Sequence, residues 1–392
     1  MKKLLGVMIA AVLAFSGVIG VNAEGEEPLY FGQITEIFES EENTQYLNNT
    51  VVNQAAYDKI ENGLRGMEIC IDIAEFELNL DELKTLFKQV VSNNGELFWV
   101  QISYGYQSFS DGKIANLYPY YIDFGTDIDE MKIKFESEVD NILSYISEEM
   151  SDLEKVLFIH EYFATHYEYG DTSDTQAYNA YNYLVNKNAV CQGITLAFDY
   201  VAERAGVECN FAFSDEMRHV WNVVNLAGKW YYIDLTWNDN SHTLGYVSRE
   251  DFLVSEEKFS QTHYAWYQNY ETGNEYDLAF WREIDSNMVY ITGFWWFIDN
   301  GYLCRYSFAE NVIEEIKNIT ENVTSLAYLN GKIYYNNVAE NSVYEYDLNV
   351  GESIKIPIHL DKNGTVWGLA EQYGELILTI KSSFYAVRIV LK

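Results

Sequence analysis

The chain has 392 residues, 48% of them hydrophobic and 16% aromatic, which is enough for a large core and suggests two or three domains. Aromatic and β-branched residues run throughout and only three prolines occur, excluding low-complexity disorder and long Pro-rich linkers. Sixty acidic residues against 25 basic ones give a formal charge of −35, which reads as a solubilising surface and argues against nucleic acid or anionic membrane surfaces as partners. A polycationic or amine-bearing partner is the sharper alternative.

In chain order, Lys2 and Lys3 precede an apolar stretch from Leu4 to Val18 and the small-residue pattern Val21-Asn22-Ala23. This is the layout of a secretory signal peptide, residues 1–23, cleaved after Ala23. The run is short for a retained anchor and no Cys follows it to take a bacterial lipid. No later segment reaches the roughly 20 apolar residues that span a bilayer. The expected localisation is therefore extracellular, without a membrane span after cleavage.

Residues 24–150 read as an α+β N-terminal domain with no evident chemistry. Helical spacing appears in "YLNNTVVNQAAYDKIENGLRG" and in "NLDELKTLFKQVVSNN", where Asn79 or Asp81 is the N-cap. "GELFWVQISYGYQSF" alternates as a strand, and "DIDEMKIKFESEVDNILSYIS" is another helix. Residues 151–275 form the segment of interest. Ser151 and Glu154 make a capping box at the head of "SDLEKVLFIHEYFATHYEYG". A short helix in "DTQAYNAYNYLVNKNAV" precedes one that begins at or near Cys191, runs to Ala205 and stops at Gly206. Strand-like runs follow at Cys209 to Phe213, His219 to Asn225 and Trp230 to Leu235.

Residues 276–392 turn to β. Three similar segments are marked by Gly293, Gly331 and Gly374, spaced by 38 and 43 residues as in propeller blades. A propeller usually needs at least about four blades. The expected architecture is thus α+β in the centre with a C-terminal all-β repeat, propeller-like module of open closure.

Cys191, His219 and Asp234 carry the chemical signal. A helix N-terminus offers unpaired N–H groups and a positive dipole end, and both stabilise a thiolate. The strands bearing His219 and Asp234 are joined by "NLAG", a hairpin turn. A two-residue turn places residues of opposite parity on one face, so His219 and Asp234 project together, opposite or one diagonal apart. An aspartate accepting from one imidazole nitrogen leaves the other for the cysteine. Trp221, Trp230 and Tyr232 share that face and can exclude water. Taken singly the residues have plainer readings, a small buried thiol and a half-buried histidine on a structural carboxylate. Together they form a Cys–His–Asp triad in papain-like order.

At these residues the chain resembles the transglutaminase-like superfamily, through "AVCQGITLAF", "RHVWNVV" and "GKWYYIDLTWND", with "KVLFIHEYFATHYEYG" upstream. The likeness extends over about residues 150 to 270 and is closest to secreted bacterial members. It implies a papain/transglutaminase-like catalytic domain with Cys191 as nucleophile, His219 as general base and acid, and Asp234 as orienting carboxylate. Animal transglutaminases carry Trp after the cysteine; here Gln192 stands there, and the superfamily includes peptidases and amidases as well as cross-linkers. Transfer and hydrolysis both remain open. The implied partner is a protein or peptide substrate, with a cell-surface or glycan partner for the β module. The competing class is a non-catalytic secreted binding or adhesion protein.

The remaining features read as plain. Cys70, Cys209 and Cys304 are scattered and allow at most one disulfide among them; Cys209 lies in an apolar run as a buried thiol. His160 and His166, six residues apart on a helix, suit core or surface roles better than a metal. "DLTWNDN" lacks the EF-hand pattern for calcium. No metal and no cofactor is expected. His263 in "THYAWY" reads first as a plain residue, with a packing or supporting place near the site as the lesser alternative. Asn48, Asn318, Asn322 and Asn363 head Asn-x-Thr tripeptides that matter only in a glycosylating host.

Overall fold

The computed structural model describes residues 29–34, 53–122, 125, 127–170, 177–239, 247–266, 270–319, 322–358, 364–381 and 386–391. The signal-peptide expectation, the first turn of the earliest predicted helix, Asn48 and Asn363 lie outside them. The chain forms two compact units, residues 1–126 and 127–392.

The first unit contains β1 (Tyr30–Ile34), α1 (Gln54–Arg65), β2 (Ile71–Asp72), α2 (Leu80–Ser92), β3 (Val100–Ser108) and β4 (Ile114–Tyr121). Its antiparallel sheet has the order β1-β3-β4-β2. Both helices start where short polar side chains can take orphan N–H groups. Asn53 accepts from Ala56, and Asn79 forms a capping box with Glu82. Leu83, Phe87 and Val90 of α2 are buried, as is Tyr104 of β3, whose ring lies 4.3 Å from that of Phe87.

The second unit begins with α3 (Ile128–Ser144), α4 (Asp152–His166), β5 (Glu168–Tyr169), α5 (Ala180–Asn186), β6 (Asn188–Ala189) and α6 (Cys191–Arg204). Helix α3, read from sequence with the N-terminal segment, packs on α5 and α6. There Glu136 accepts from Tyr200 and Arg204, each at 2.7 Å. Helix α4 opens with the Ser151–Glu154 capping box. Then come β7 (Cys209–Ser214), β8 (His219–Leu226), β9 (Lys229–Ile233), α7 (Leu235–Asn238), β10 (Phe252–Val254) and α8 (Glu256–Phe259). The sheet order is β10-β9-β8-β7, all antiparallel. Ala227 and Gly228 at the β8–β9 turn both have positive φ, 54° and 85°, as a type I′ hairpin demands.

The expected parity holds: Asn222 pairs with Ile233 and Leu226 with Lys229. Trp221, Val223 and Tyr232 therefore share one face and cluster with Ala212, Val254 and Phe259, with Trp230 packed alongside. Burying each such large side chain stabilises the fold by roughly 1.5–3 kcal/mol. The opposite face meets α6, where Asn222 Nδ2 donates to Thr195 O at 3.0 Å and Thr195 Oγ1 to Val220 O at 3.2 Å. These bonds set the first turns of α6 level with the start of β8.

Three further antiparallel sheets follow: β11 (Val289–Ile291), β12 (Phe294–Asp299), β13 (Tyr302–Ser307) and β14 (Val312–Asn318); β15 (Leu326–Leu329), β16 (Lys332–Asn337), β17 (Ser342–Asp347) and β18 (Glu352–Ile356); β19 (Thr365–Gln372), β20 (Glu375–Lys381) and β21 (Ala386–Val390). Gly293, Gly331 and Gly374 each occupy the second, positive-φ position of the turn between a sheet's first two strands. The repeats read from sequence thus form three successive sheets of four, four and three strands, and among the described residues no propeller closure is shown. The first strands touch in sequence, β11 with β15 and β15 with β19, and α4 touches both β11 and β19.

Polar links fix α4 in that position. Trp295 Nε1 donates to Glu154 Oε1 at 3.2 Å, and His166 Nε2 meets Glu371 O at 2.6 Å. Glu161, 3% exposed, accepts two 2.7 Å bonds from Arg249 and one of 2.8 Å from the Met288 N–H. His160 and His166 are both buried, consistent with core roles.

Candidate active site

Cys191 is the first residue of α6, and Val190 at the N-cap brings no side chain to the first-turn N–H groups. These groups remain directed at the thiol end of the helix. The turn is held tightly: a Cβ on Gly193 would come within 2.8 Å of the carbonyl oxygens of Ala177 and Asn179. Only glycine allows α6 to start so close to that segment. Cys191 is half-buried, whereas Cys209 and Cys304 are buried and Cys70 is exposed. All four cysteines are free thiols. Burial pushes the Cys209 thiol well up and that of Cys304 up to about 11, so neither favours the thiolate.

His219 starts β8 and Asp234 directly follows β9. Sequence placed Asp234 within a strand; it is instead the N-cap of α7, with Oδ1 accepting from the Trp237 N–H at 3.2 Å. Its other oxygen, Oδ2, accepts from His219 Nε2 at 2.5 Å. That leaves Nδ1 of His219 for Cys191, which lies close enough to influence the imidazole. Burial works against the His219 proton, but Asp234 and Cys191 outweigh it and push the imidazole up to about 10. Burial likewise works against ionised Asp234, yet His219 and His263 hold its carboxyl below the usual range. The three predicted residues therefore come together.

Two contributors were not legible as such. His263, 1% exposed, donates from Nε2 to the same Oδ2 at 2.9 Å. A place near the site was only the lesser reading of "THYAWY", and its sharing of the carboxylate was not read at all. Trp237 lies over both imidazoles, 5.8 Å and 18° from His219 and 4.3 Å from His263. Being 41% exposed, it covers the pair on the solvent side. Tyr169 on β5 and Tyr178 are also exposed, and Tyr169 senses the charges of Cys191 and Asp234. Trp237 and Tyr169 thus form an exposed aromatic rim on one side of the site. No local pattern marks these residues, because the chain path alone brings them together.

Among the described residues, His219, Asp234 and His263 are the group whose candidate ligand atoms converge, all within 4.8 Å. The 2.5 and 2.9 Å spacings are hydrogen bonds. Ligands sharing one ion at about 2.0–2.2 Å would stand farther apart than that. The arrangement carries protons well and needs to open before it could hold a metal.

Residues 140–235, which include all three predicted site residues, match the family model described as the transglutaminase-like superfamily. Kyphoscoliosis peptidase of Homo sapiens is 29% identical over 130 residues, covering 28% of this chain and 20% of that protein. The Mus musculus protein of the same name is 28% identical over 130 residues with the same coverage. The matched stretch thus spans about a fifth of the length of these curated relatives. A crystal structure of a TGase is 14% identical, covers 41% of this chain and 49% of that chain, and has a TM-score of 0.24, at which it carries no argument.

Proposed function

Because the chain contains a transglutaminase-like domain at residues 140–235, we propose that it is a cysteine-dependent acyl transferase or hydrolase acting on glutamine side-chain or peptide amides. One observation carries the reading. His219 binds the buried Asp234 through Nε2 at 2.5 Å, with Cys191, the first residue of a helix, near enough to influence the imidazole.

The chemistry follows from that geometry. The Cys191 sulfur attacks the amide carbon as His219 holds the proton the thiol gave up. The C–N bond breaks, ammonia or an amine leaves with that proton, and a thioester remains. First-turn N–H groups of α6 face the oxyanion formed in between. His219 then takes a proton from water or from a primary amine, which attacks the thioester and releases the thiol. Asp234 supports the imidazolium in both halves without itself taking the proton. In this reading the protein acts outside the cell and the β sheets hold a substrate or surface partner near the rim.

Incubation with a glutamine-bearing protein and a labelled primary amine tests the proposal. Label incorporation that is lost in Cys191→Ala supports transfer, and peptide cleavage lost in the same variant supports hydrolysis. If neither activity depends on Cys191, and it alkylates no faster than Cys70, the protein is a binding module instead.

A further inference from the structure

We propose that His263 is a positioning residue, holding the Asp234 carboxylate in the orientation that aims His219 at Cys191. The inference rests on the acyl-transfer reading above. An aspartate carboxylate can turn about two side-chain torsions. Three donors restrain this one: Trp237 N–H on Oδ1 at 3.2 Å, and His219 and His263 Nε2 on Oδ2 at 2.5 and 2.9 Å. The Trp237 donor belongs to a helix of four residues. With His219 as the only other donor, carboxylate and imidazole could swing together and keep their bond while losing aim at the thiol. His263 supplies a fixed point.

The His263 ring is itself immobilised on several sides. It stacks on Phe259 at 3.7 Å and 13°, meets Trp221 edge-on at 5.0 Å, and its Nδ1 lies 3.0 Å from Thr262 Oγ1. Since Nε2 faces a carboxylate oxygen, it must carry the proton that makes the bond. A residue serving only as packing would not require a nitrogen there.

Several elements bring ionisable groups to this centre. They are Cys191 of α6, His219 of β8, Asp234 after β9, Tyr169 of β5 and Asp251 ahead of β10. Asp251 is influenced by both His263 and Asp234, and beyond it by Glu250 and Arg282. Its backbone also joins the frame: Asp234 N–H donates to Asp251 O at 2.8 Å.

The test compares Cys191 alkylation by iodoacetamide between pH 5 and 9, read by peptide mass spectrometry with Cys70 as internal reference. The proteins are the full chain, His263→Gln and His263→Asn. A Gln amide reaches the place of Nε2 and can still donate; an Asn amide stops at the place of Nδ1. At pH 6 the Asn variant should react roughly 10–100-fold more slowly than wild type, the range expected for one bond to a charged group. Its rate–pH profile should differ from that of wild type, because the imidazolium beside the thiol is no longer held in place. The Gln variant should stay within about 3-fold of wild type, as a retained donor implies. An Asn variant that reacts like wild type overturns the inference, and so does a Gln variant as slow as Asn. A wild-type Cys191 no faster than Cys70 overturns both this inference and the acyl-transfer reading beneath it.

Discussion

Replacing Arg249 with Met should unfasten α4 from its buried anchor. Arg249 is 2% exposed and Glu161 3%, and two 2.7 Å bonds join them. Arg249 also donates to the carbonyls of Val247, Trp281 and Ser286 at 3.4, 3.3 and 3.2 Å. Methionine fills much of the aliphatic stem, so the main cost is a buried carboxylate without its cation. Removing one partner of such a pair costs about 3–5 kcal/mol. Burial raises the Glu161 carboxyl, but Arg249 and His160 hold it below its usual range; burial and Arg249 both lower His160. In the wild type, Glu161 thus contributes stability above its unfolded value near 4.5 and loses it as pH falls through the depressed folded value. Without Arg249 the site takes up a proton more readily, on Glu161 or His160, and stability falls as pH rises through neutrality. The deficit is therefore widest at pH 8 and narrower at pH 5. Urea unfolding followed by tryptophan fluorescence measures it, since every tryptophan but Trp99 lies in residues 127–392. Glu161→Leu combined with Arg249→Met should recover at least half of the loss. A single variant within about 1 kcal/mol of wild type at pH 8, well short of the expected range, would refute the reasoning. So would an equal deficit at both pH values.

Asp234→Asn should weaken the imidazolium of His219. The rise from 6.5 to about 10 corresponds to about 5 kcal/mol, shared between Asp234 and Cys191, so alkylation of Cys191 at pH 6 should drop roughly a hundredfold. Stability checks the same pair: the raised His219 contributes fully below about 6.5, and this is lost as pH rises through about 10, a slope the Asn variant should lack when unfolding is measured across that window. Gly193→Ala should cost about 1–3 kcal/mol and slow Cys191 chemistry, because the new Cβ meets the Ala177 and Asn179 carbonyls. Thermal melts and alkylation rates check both effects, and an alanine variant equal to wild type in each would remove the strain argument.

How much of this was legible in the chain depends on how local each feature is. The start of α6 and the facing of His219 and Asp234 follow from a helix boundary and a two-residue turn, and both were readable. The cap made by Asp234 was missed because a strand ending and a four-residue helix beginning give the same short apolar text. The bond from His263 to Asp234 spans 29 residues and the Glu161–Arg249 pair spans 88. Such pairs leave no periodic trace; they exist because the chain after β9 returns to the sheet edge. The three β repeats were visible from their turn glycines, but what lies against their first strands was not.

That last contact joins the site to the rest of the unit. Along α4, Glu154, Glu161 and His166 reach toward the β sheets, while Phe163 packs on Tyr183 of α5 and Phe198 of α6. A helix used on both sides needs buried polar groups on one of them, which explains why its apolar stripe is interrupted by Glu161 and His160. Glu161 needs a cationic partner in the folded chain, since a buried charge left unpaired is costly. Arg249 supplies that partner between Asp234 and His263, in the segment that closes over the sheet edge. The same stretch of chain thus fastens the β sheets through Arg249 and steadies the carboxylate through His263, so disturbance of the module has a covalent path to the site.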